Sequence, residues 1–474
     1  MAQVAAGPAH SGKGNANLTP KLGKANLGGL VSVADERVRL DGERRWGEYV
    51  TDPVAAVSAL AAADHFGEYV VYERPGEWVF AADPLGGVEL DVDELRVSWD
   101  GRTTAGPWTG NPARAIDRAL AGLPLDGRNA FGWIGFEFCA WSLGATEHVH
   151  PGATLAHLMI PRIEVRIDAA GVRVCGATPS ETGDVHALIA AAQGAPLPRP
   201  HPVDVSKDHT GYRDRVATGV AEIRDGKYQK VILSRKVELP FAVNIPATYR
   251  LGRVNNTPAR SFLLRLGGLE AAGFSPELVV AVDRDRVVTT EPLAGTRAFG
   301  RGDDVDLAAR ADLVRDPKEI VEHAISVRTS FAEIAAVAEP DTTAVSDFMA
   351  VRERGSVQHL ASTVRGRLAA DRSPWDALEM LFPSVTASGI PKAAGVDAVF
   401  RLDHDPRGPY SGAVVTVSPD GALEATLVLR AVYQTGAGAW LRAGAGVVEQ
   451  SRPDREFEET CEKLGSVAPY VVRA

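Results

Sequence analysis

Residues 411–434 read SGAVVTVSPDGALEATLVLRAVYQ, two runs of apolar and β-branched residues on either side of Ser418-Pro419-Asp420-Gly421. Proline pre-sets φ and glycine accepts the positive φ that closes a reversal, so the two runs pair as an antiparallel hairpin. In the second run Glu424, Thr426, Val428 and Arg430 share one face, opposite Leu423, Ala425, Leu427 and Leu429. Working outward, YQKVILSRKVEL (228–239) is a strand with Lys230, Ile232 and Ser234 on one side and Val231, Leu233 and Arg235 on the other. SFLLRL (261–266), ELVVAV (277–282) and RVVTTE (286–291) follow as strands joined by short turns, as in a meander. GEYVVYE (67–73), EWVFAA (77–82) and GVELDVD (87–93), with helical PARAIDRALAGL (112–123), extend an α+β pattern toward the N-terminus.

Helical periods flank these strands. Tyr212, Val216, Val220 and Ile223 mark one helix face ending near Gly226. From Lys318, Ile320, Ala324, Val327, Phe331 and Ile334 form an apolar stripe that leaves Glu319, Glu322, His323 and Ser326 on another face. Ser451, Pro453 and Asp454 resemble a helix start before REFEETCEKLGSV. The segment 191–209, with four prolines, reads as a linker or an exposed crossing. Residues 1–35 are small, polar and glycine-rich, which predicts a disordered N-terminal extension ahead of 36–474.

At 474 residues, length alone suggests about three domains. A chain 45% hydrophobic and 24% charged is neither disordered nor fibrous. Its 61 acidic against 51 basic side chains leave −10, a field that repels nucleic acid. Cys139, Cys175 and Cys461 lack paired spacing, which argues against a disulfide framework or a thiolate zinc site. No long apolar run or signal core is present, so no membrane span is expected and the cytoplasm is the expected location.

Glu319 with Glu322, and Glu456 with Glu459, are i,i+3 pairs, each either a solvated helix face or one prong of an all-oxygen site suited to Mg²⁺. Lys463, four residues after Glu459, is a helix ion-pair partner or a cation for an anionic substrate beside that metal. Gly444 and Gly446 permit close approach of backbone N–H groups to an anion, or mark a tight strand crossing. Lys230, inside a Val/Ile/Leu strand, is a general base if it faces a dry polar cavity and a solvated strand lysine otherwise. Glu277, at the mouth of a strand, is a half-buried general acid or a turn cap. Tyr410 and Arg430 suit a carboxylate, although Arg430 also suits a structural ion pair, and His359 alone reads as a core histidine.

Nine segments in order resemble the chorismate-utilising enzymes: KVILSR (230–235), GFSPEL (273–278), EPLAGTRAFG (291–300), KEIVEHAISVR (318–328), RERGSVQHLAST (352–363), LFPSVTASGIPK (381–392), RGPYSGAV (407–414), LRAGAGVVEQS (441–451) and REFEETCEKL (455–464). The family includes anthranilate, aminodeoxychorismate, isochorismate and salicylate synthases, and the likeness is strongest to the salicylate-forming branch of actinobacterial siderophore pathways. The resemblance covers 205–472 closely and is looser from about residue 40.

The resemblance implies a single large α+β domain of two antiparallel sheets packed face to face with helices outside. It assigns Lys230 as the base that activates water for attack at ring C2, and Glu277 as the acid for the departing C4 hydroxyl. Glu322, Glu456 and Glu459, with Glu319 close by, would hold Mg²⁺ against the ring carboxylate. Gly295, Thr296, Tyr410, Arg430, Gly444, Ala445, Gly446 and Lys463 would contact substrate, with His359 and Thr386 lining the same pocket. Amine-forming relatives lack the lysine at 230, and aminodeoxychorismate synthases carry one where this chain has Ala294, so water is the implied nucleophile. The implied activity is chorismate to isochorismate, then to salicylate and pyruvate, by a monomer without a glutaminase subunit. The alternatives are an enzyme that stops at isochorismate and a non-catalytic chorismate-binding homologue.

Overall fold

The strand Glu77–Asp91, 15 residues long, is shared between two sheets. It pairs with the equally long Thr154–Asp168, and the register shifts between Pro84 and Gly86, a bulge of the kind that bends a strand pair. On one side of the bend the first sheet runs from Glu77–Asp91 through Tyr69–Arg74, Arg260–Leu266, Leu269–Ser275, Ala431–Thr435 and Gly438–Val447 to Lys230–Leu239 and the short Gly389–Ile390. On the other side the second sheet runs from Thr154–Asp168 through Ala130–Ile134, Ala413–Val417, Leu423–Leu427, Leu278–Val282 and Val287–Thr290 to Val357–Arg367. Val357–Arg367 also pairs with Leu293–Ala298 and Ala344–Arg354. The computed structural model describes residues 44–46, 50–63 and 65–474, and among them every strand pairing is antiparallel and the two sheets form one hydrogen-bonded network. The expected disordered extension at 1–35 lies outside the described residues.

Side chains alternate across the central strands, and both faces of these strands are covered. Val70, Tyr72, Phe262, Leu264 and Tyr433 of the first sheet meet Phe131, Trp133 and Val414 of the second in an inner layer. Tyr69, Val71 and Leu263, on the opposite faces of the same strands, pack under Val57 and Leu60 of helix Pro53–Ala62, Val185 and Ile189 of Pro179–Ala192, and Tyr249 of Ile245–Val254. The second sheet is covered by Pro112–Ala121 and Pro374–Leu381 through Ile116, Trp375 and Leu378. Burying side chains on both faces, at roughly 25 cal/mol per Å² of apolar area, is what holds this helix–sheet–sheet–helix stack against chain entropy. The α+β expectation of two face-to-face antiparallel sheets is met.

Four local expectations are corrected. SFLLRL and ELVVAV do not form one meander: a strand unread in the sequence, Leu269–Ser275, pairs with the first, and the chain then crosses to the second sheet. The run 422–434 is two strands, Leu423–Leu427 and Ala431–Thr435, in different sheets, so Arg430 lies between strands with φ +51°. Helix Pro317–Val337 buries His323, Ser326, Val327, Ser330 and Ile334, and Phe331 is 39% exposed, because the polar face packs on the sheets and the cavity. Helix Pro453–Leu464 starts one residue after Arg452, and Ser451 instead accepts the Val448 N–H at 3.0 Å. The proline-rich segment is an ordered crossing, pinned by His201 N–H to Val471 O (2.6 Å) and Val203 N–H to Ala468 O (3.0 Å).

Candidate active site

Glu277 and Arg430 sit at two points where the chain passes directly from a strand of one sheet to a strand of the other. Pro276 and Glu277 join Leu269–Ser275 to Leu278–Val282, and Val428–Arg430 joins Leu423–Leu427 to Ala431–Thr435. The crossings are tied together: the Ser275 hydroxyl lies 2.6 Å from Leu427 O, Thr426 donates to Glu277 O at 3.2 Å, and Phe274 N–H donates to Arg430 O at 3.2 Å. Beside them opens a cavity of about 370 Å³, lined by every site residue expected from the sequence except Ala445. Ala445 is opposite Leu233 in register and is fully buried on the other face of the strand, whereas Gly446 is opposite Ile232 on the cavity face. The period-two pleat explains that correction.

Lys230 opens its strand with 4% exposure, which removes the solvated-lysine alternative, and its Nζ lies 2.6 Å from Glu322 Oε1. A Cβ on Gly446 would come within 3.1 Å of Lys230 Cε and 3.4 Å of Glu322 Oε1, so a side chain there would crowd that pair. Glu277 is buried, and its carboxylate accepts from Ser384 Oγ (3.0 Å), Thr386 Oγ1 and the Leu293 N–H (2.9 Å). Desolvation outweighs these bonds and pushes its pKa up to about 7, the range of a general acid.

Arg430 Nη2 is 2.6 Å from His359 Nε2, and Nδ1 of that histidine is 3.0 Å from Thr296 Oγ1. A guanidinium only donates, so Nε2 accepts and Nδ1 carries the proton toward Thr296. Burial and the neighbouring Arg430 keep His359 neutral by lowering its pKa far below the usual range. Burial, with Arg354 nearby, also lowers Arg430, to about 10. Eight Lys and Arg side chains and six Asp and Glu line the cavity, a mixed field that suits a carboxylate substrate beside a cation.

The two glutamate prongs reach this cavity from helices Pro317–Val337 and Pro453–Leu464. Glu319 meets Arg297 at 2.9 Å, and Glu459 meets Lys463 at 2.8 Å, which in turn donates to Gly444 O at 2.9 Å. Burial and the adjacent Glu459 push Glu456 up to about 7. Glu459 itself is held low by Lys463 in spite of burial. Among the described residues no three acidic, histidine or cysteine side chains converge closely enough to hold a metal ion as they stand. The donor set nonetheless fits a hard divalent cation: the oxygens are carboxylate, and the buried Glu456–Glu459 repulsion is the kind a cation relieves.

Sequence reading missed Arg297, which follows Thr296 in its own motif and braces Glu319 and Asp316. It also missed Ser384, which shares Thr386's turn and its hold on Glu277, and Ser411, whose buried hydroxyl lines the cavity with no partner among the described residues. Ser411 follows Tyr410 directly, but nothing in its spacing marks the hydroxyl's direction.

An antiparallel α+β fold with a buried lysine, a neutral-range glutamic acid and a cavity in which basic side chains outnumber acidic ones is that of an enzyme acting on a small anionic molecule. Residues 70–469 match the chorismate binding enzyme family, and the chain belongs to it. It is 54% identical over 421 residues to the salicylate synthase of Mycolicibacterium paratuberculosis (strain ATCC BAA-968 / K-10), covering 88% of this chain and 93% of that one. It is 30% identical over 453 residues to an anthranilate synthase component 1 of Haloarcula marismortui, covering 87% and 91%. The menaquinone-specific isochorismate synthase of Escherichia coli shares the fold at a TM-score of 0.66 and 21% identity, over 88% of this chain and 91% of that one. Anthranilate synthase component I of Streptococcus pneumoniae TIGR4 does so at 0.66 and 23%, over 83% and 92%.

Proposed function

We propose that this chain converts chorismate to isochorismate, one water adding at ring C2 as another leaves from C4, and isochorismate to salicylate and pyruvate, in one cavity. The observation that carries the reading is the pairing of a buried Lys230 with a protonatable Glu277 in that cavity, in a chain 54% identical to a salicylate synthase. Lys230 takes a proton from water as the water oxygen bonds to ring C2. Glu277 gives its proton to the C4 hydroxyl, which leaves as water while the ring double bonds shift, so the step is an isomerisation. In the second step the hydrogen on C2 passes to the enolpyruvyl carbon as the ether C–O bond breaks, releasing pyruvate and leaving an aromatic ring. That transfer lies within the substrate and asks only to be held in place.

Arg430, Tyr410 and Lys463 orient the substrate carboxylates, and neutral His359 with Thr296 lines the ring. Glu322, Glu456 and Glu459, with Glu319 beside them, would hold Mg²⁺, which when bound neutralises the substrate carboxylate against the acidic wall. No helix among the described residues is long and apolar enough to cross a membrane. A cytoplasmic monomer needing no glutaminase, and supplying salicylate for siderophore assembly, completes the proposal. Purified protein given chorismate and Mg²⁺ should develop salicylate fluorescence. Isochorismate that persists would make the chain an isochorismate synthase, and absence of turnover would leave a binding homologue.

A further inference from the structure

Arg407 belongs to the RGPYSGAV segment but lines no part of the cavity, and it is 3% exposed. Its guanidinium is shared among three segments: Nε donates to Asp403 Oδ2 (2.9 Å), Nη1 to Ala387 O (2.8 Å) and Nη2 to Ile232 O (2.5 Å). Ile232 is two residues from Lys230 on the base strand. Ala387 follows Thr386, which with Ser384 grips the Glu277 carboxylate. One rigid fork therefore ties the strand that carries the base to the turn that holds the acid.

The fork is itself fixed. Arg407 stacks over the Phe136 ring at 4.5 Å, and buried Asp403 also receives Arg442 (3.3 Å), Arg215 (3.2 Å) and the Ser234 hydroxyl (2.6 Å). The backbone of Arg407 is held separately: Glu137 Oε1 accepts its N–H at 2.7 Å, and Oε2 accepts the Gly408 N–H at 3.0 Å. The turn leading to Tyr410 thus has its own anchor, independent of the guanidinium.

We infer that Arg407 is a positioning residue that sets the separation of Lys230 and Glu277 for water addition. This rests on the hydration step proposed above. That step needs a base and an acid on one substrate at once, so it is sensitive to their spacing, whereas hydrogen transfer within isochorismate uses neither.

The test uses Arg407→Lys, which keeps the buried charge but cannot reach both carbonyls and Asp403 from one ammonium, and Arg407→Gln beside it. Either variant that retains wild-type circular dichroism is read in the same way. Chorismate hydration should fall on the order of 10²-fold in kcat, the scale of an ångström of misplacement, with KM for chorismate little changed. Conversion of supplied isochorismate should stay near the wild-type rate. Equal loss of both steps, or undiminished hydration, overturns the role of Arg407. Wild-type protein that fails to turn over chorismate counts against the proposed function instead.

Discussion

Glu277 carries a pH signature that turnover of chorismate can report. Burial raises its carboxyl to about 7, so it holds a proton below that pH and loses it above. A general acid must be protonated, and kcat/KM reports the free enzyme, so kcat/KM for chorismate hydration should decline as pH rises through about 7. The conversion of isochorismate should lack this limb, because no acid acts in it. Glu277→Gln should remove hydration at every pH and leave the fold intact. A hydration profile flat from pH 6 to 9 in the wild-type protein would contradict the assignment. Residue type and motif were enough to single out Lys230, Glu277 and His359. Their hydrogen-bond partners were not readable, because Ser384 and Arg430 approach from elements more than 70 residues away.

Two helices supply the glutamates, and two strands supply the floor beneath them. Removing metal with EDTA should abolish activity and excess Mg²⁺ should restore it. Glu459→Gln should lose most turnover while remaining folded, because one of the anionic oxygens is replaced by an amide. Full activity of that variant in EDTA would remove the metal from the account. On the floor, Gly446→Ala should fold, since its φ is not positive, yet place a methyl against Lys230 Cε at 3.1 Å. A loss of about ten-fold or more in hydration is the expected result, from displaced reacting groups. The i,i+3 glutamates and the alternation at 230–235 were legible because each is a short-range period. The buried stripe of Pro317–Val337 was not, because its inward face carries His323, Ser326 and Ser330 toward polar neighbours rather than a leucine core. The run 422–434 hid its break for a related reason: Val428 and Leu429 are apolar at a crossing that is itself buried or half-buried.

Across the whole molecule, the inner layer between the sheets and the cavity at their crossings are separate features. Phe262→Ala, in a fully buried inner-layer position, should cost about 3–5 kcal/mol in urea unfolding, the range for a phenylalanine removed from a packed core. It should leave kcat little changed below the unfolding transition. The two-sheet plan could not be read from length, which suggested three domains, or from alternation, which vanishes in SFLLRL and YVVY because both strand faces are covered. The ordered series of motifs supplied it instead. The central claim is that one cavity performs two steps, only the first of which needs Lys230. The most direct test compares wild-type protein with Lys230→Ala, each given Mg²⁺ and either chorismate or isochorismate. Chorismate hydration in the variant should fall by about 10²–10⁴, the range for loss of a general base, while supplied isochorismate still yields salicylate and pyruvate. Loss of both steps in a folded variant, or retention of both, would contradict the account.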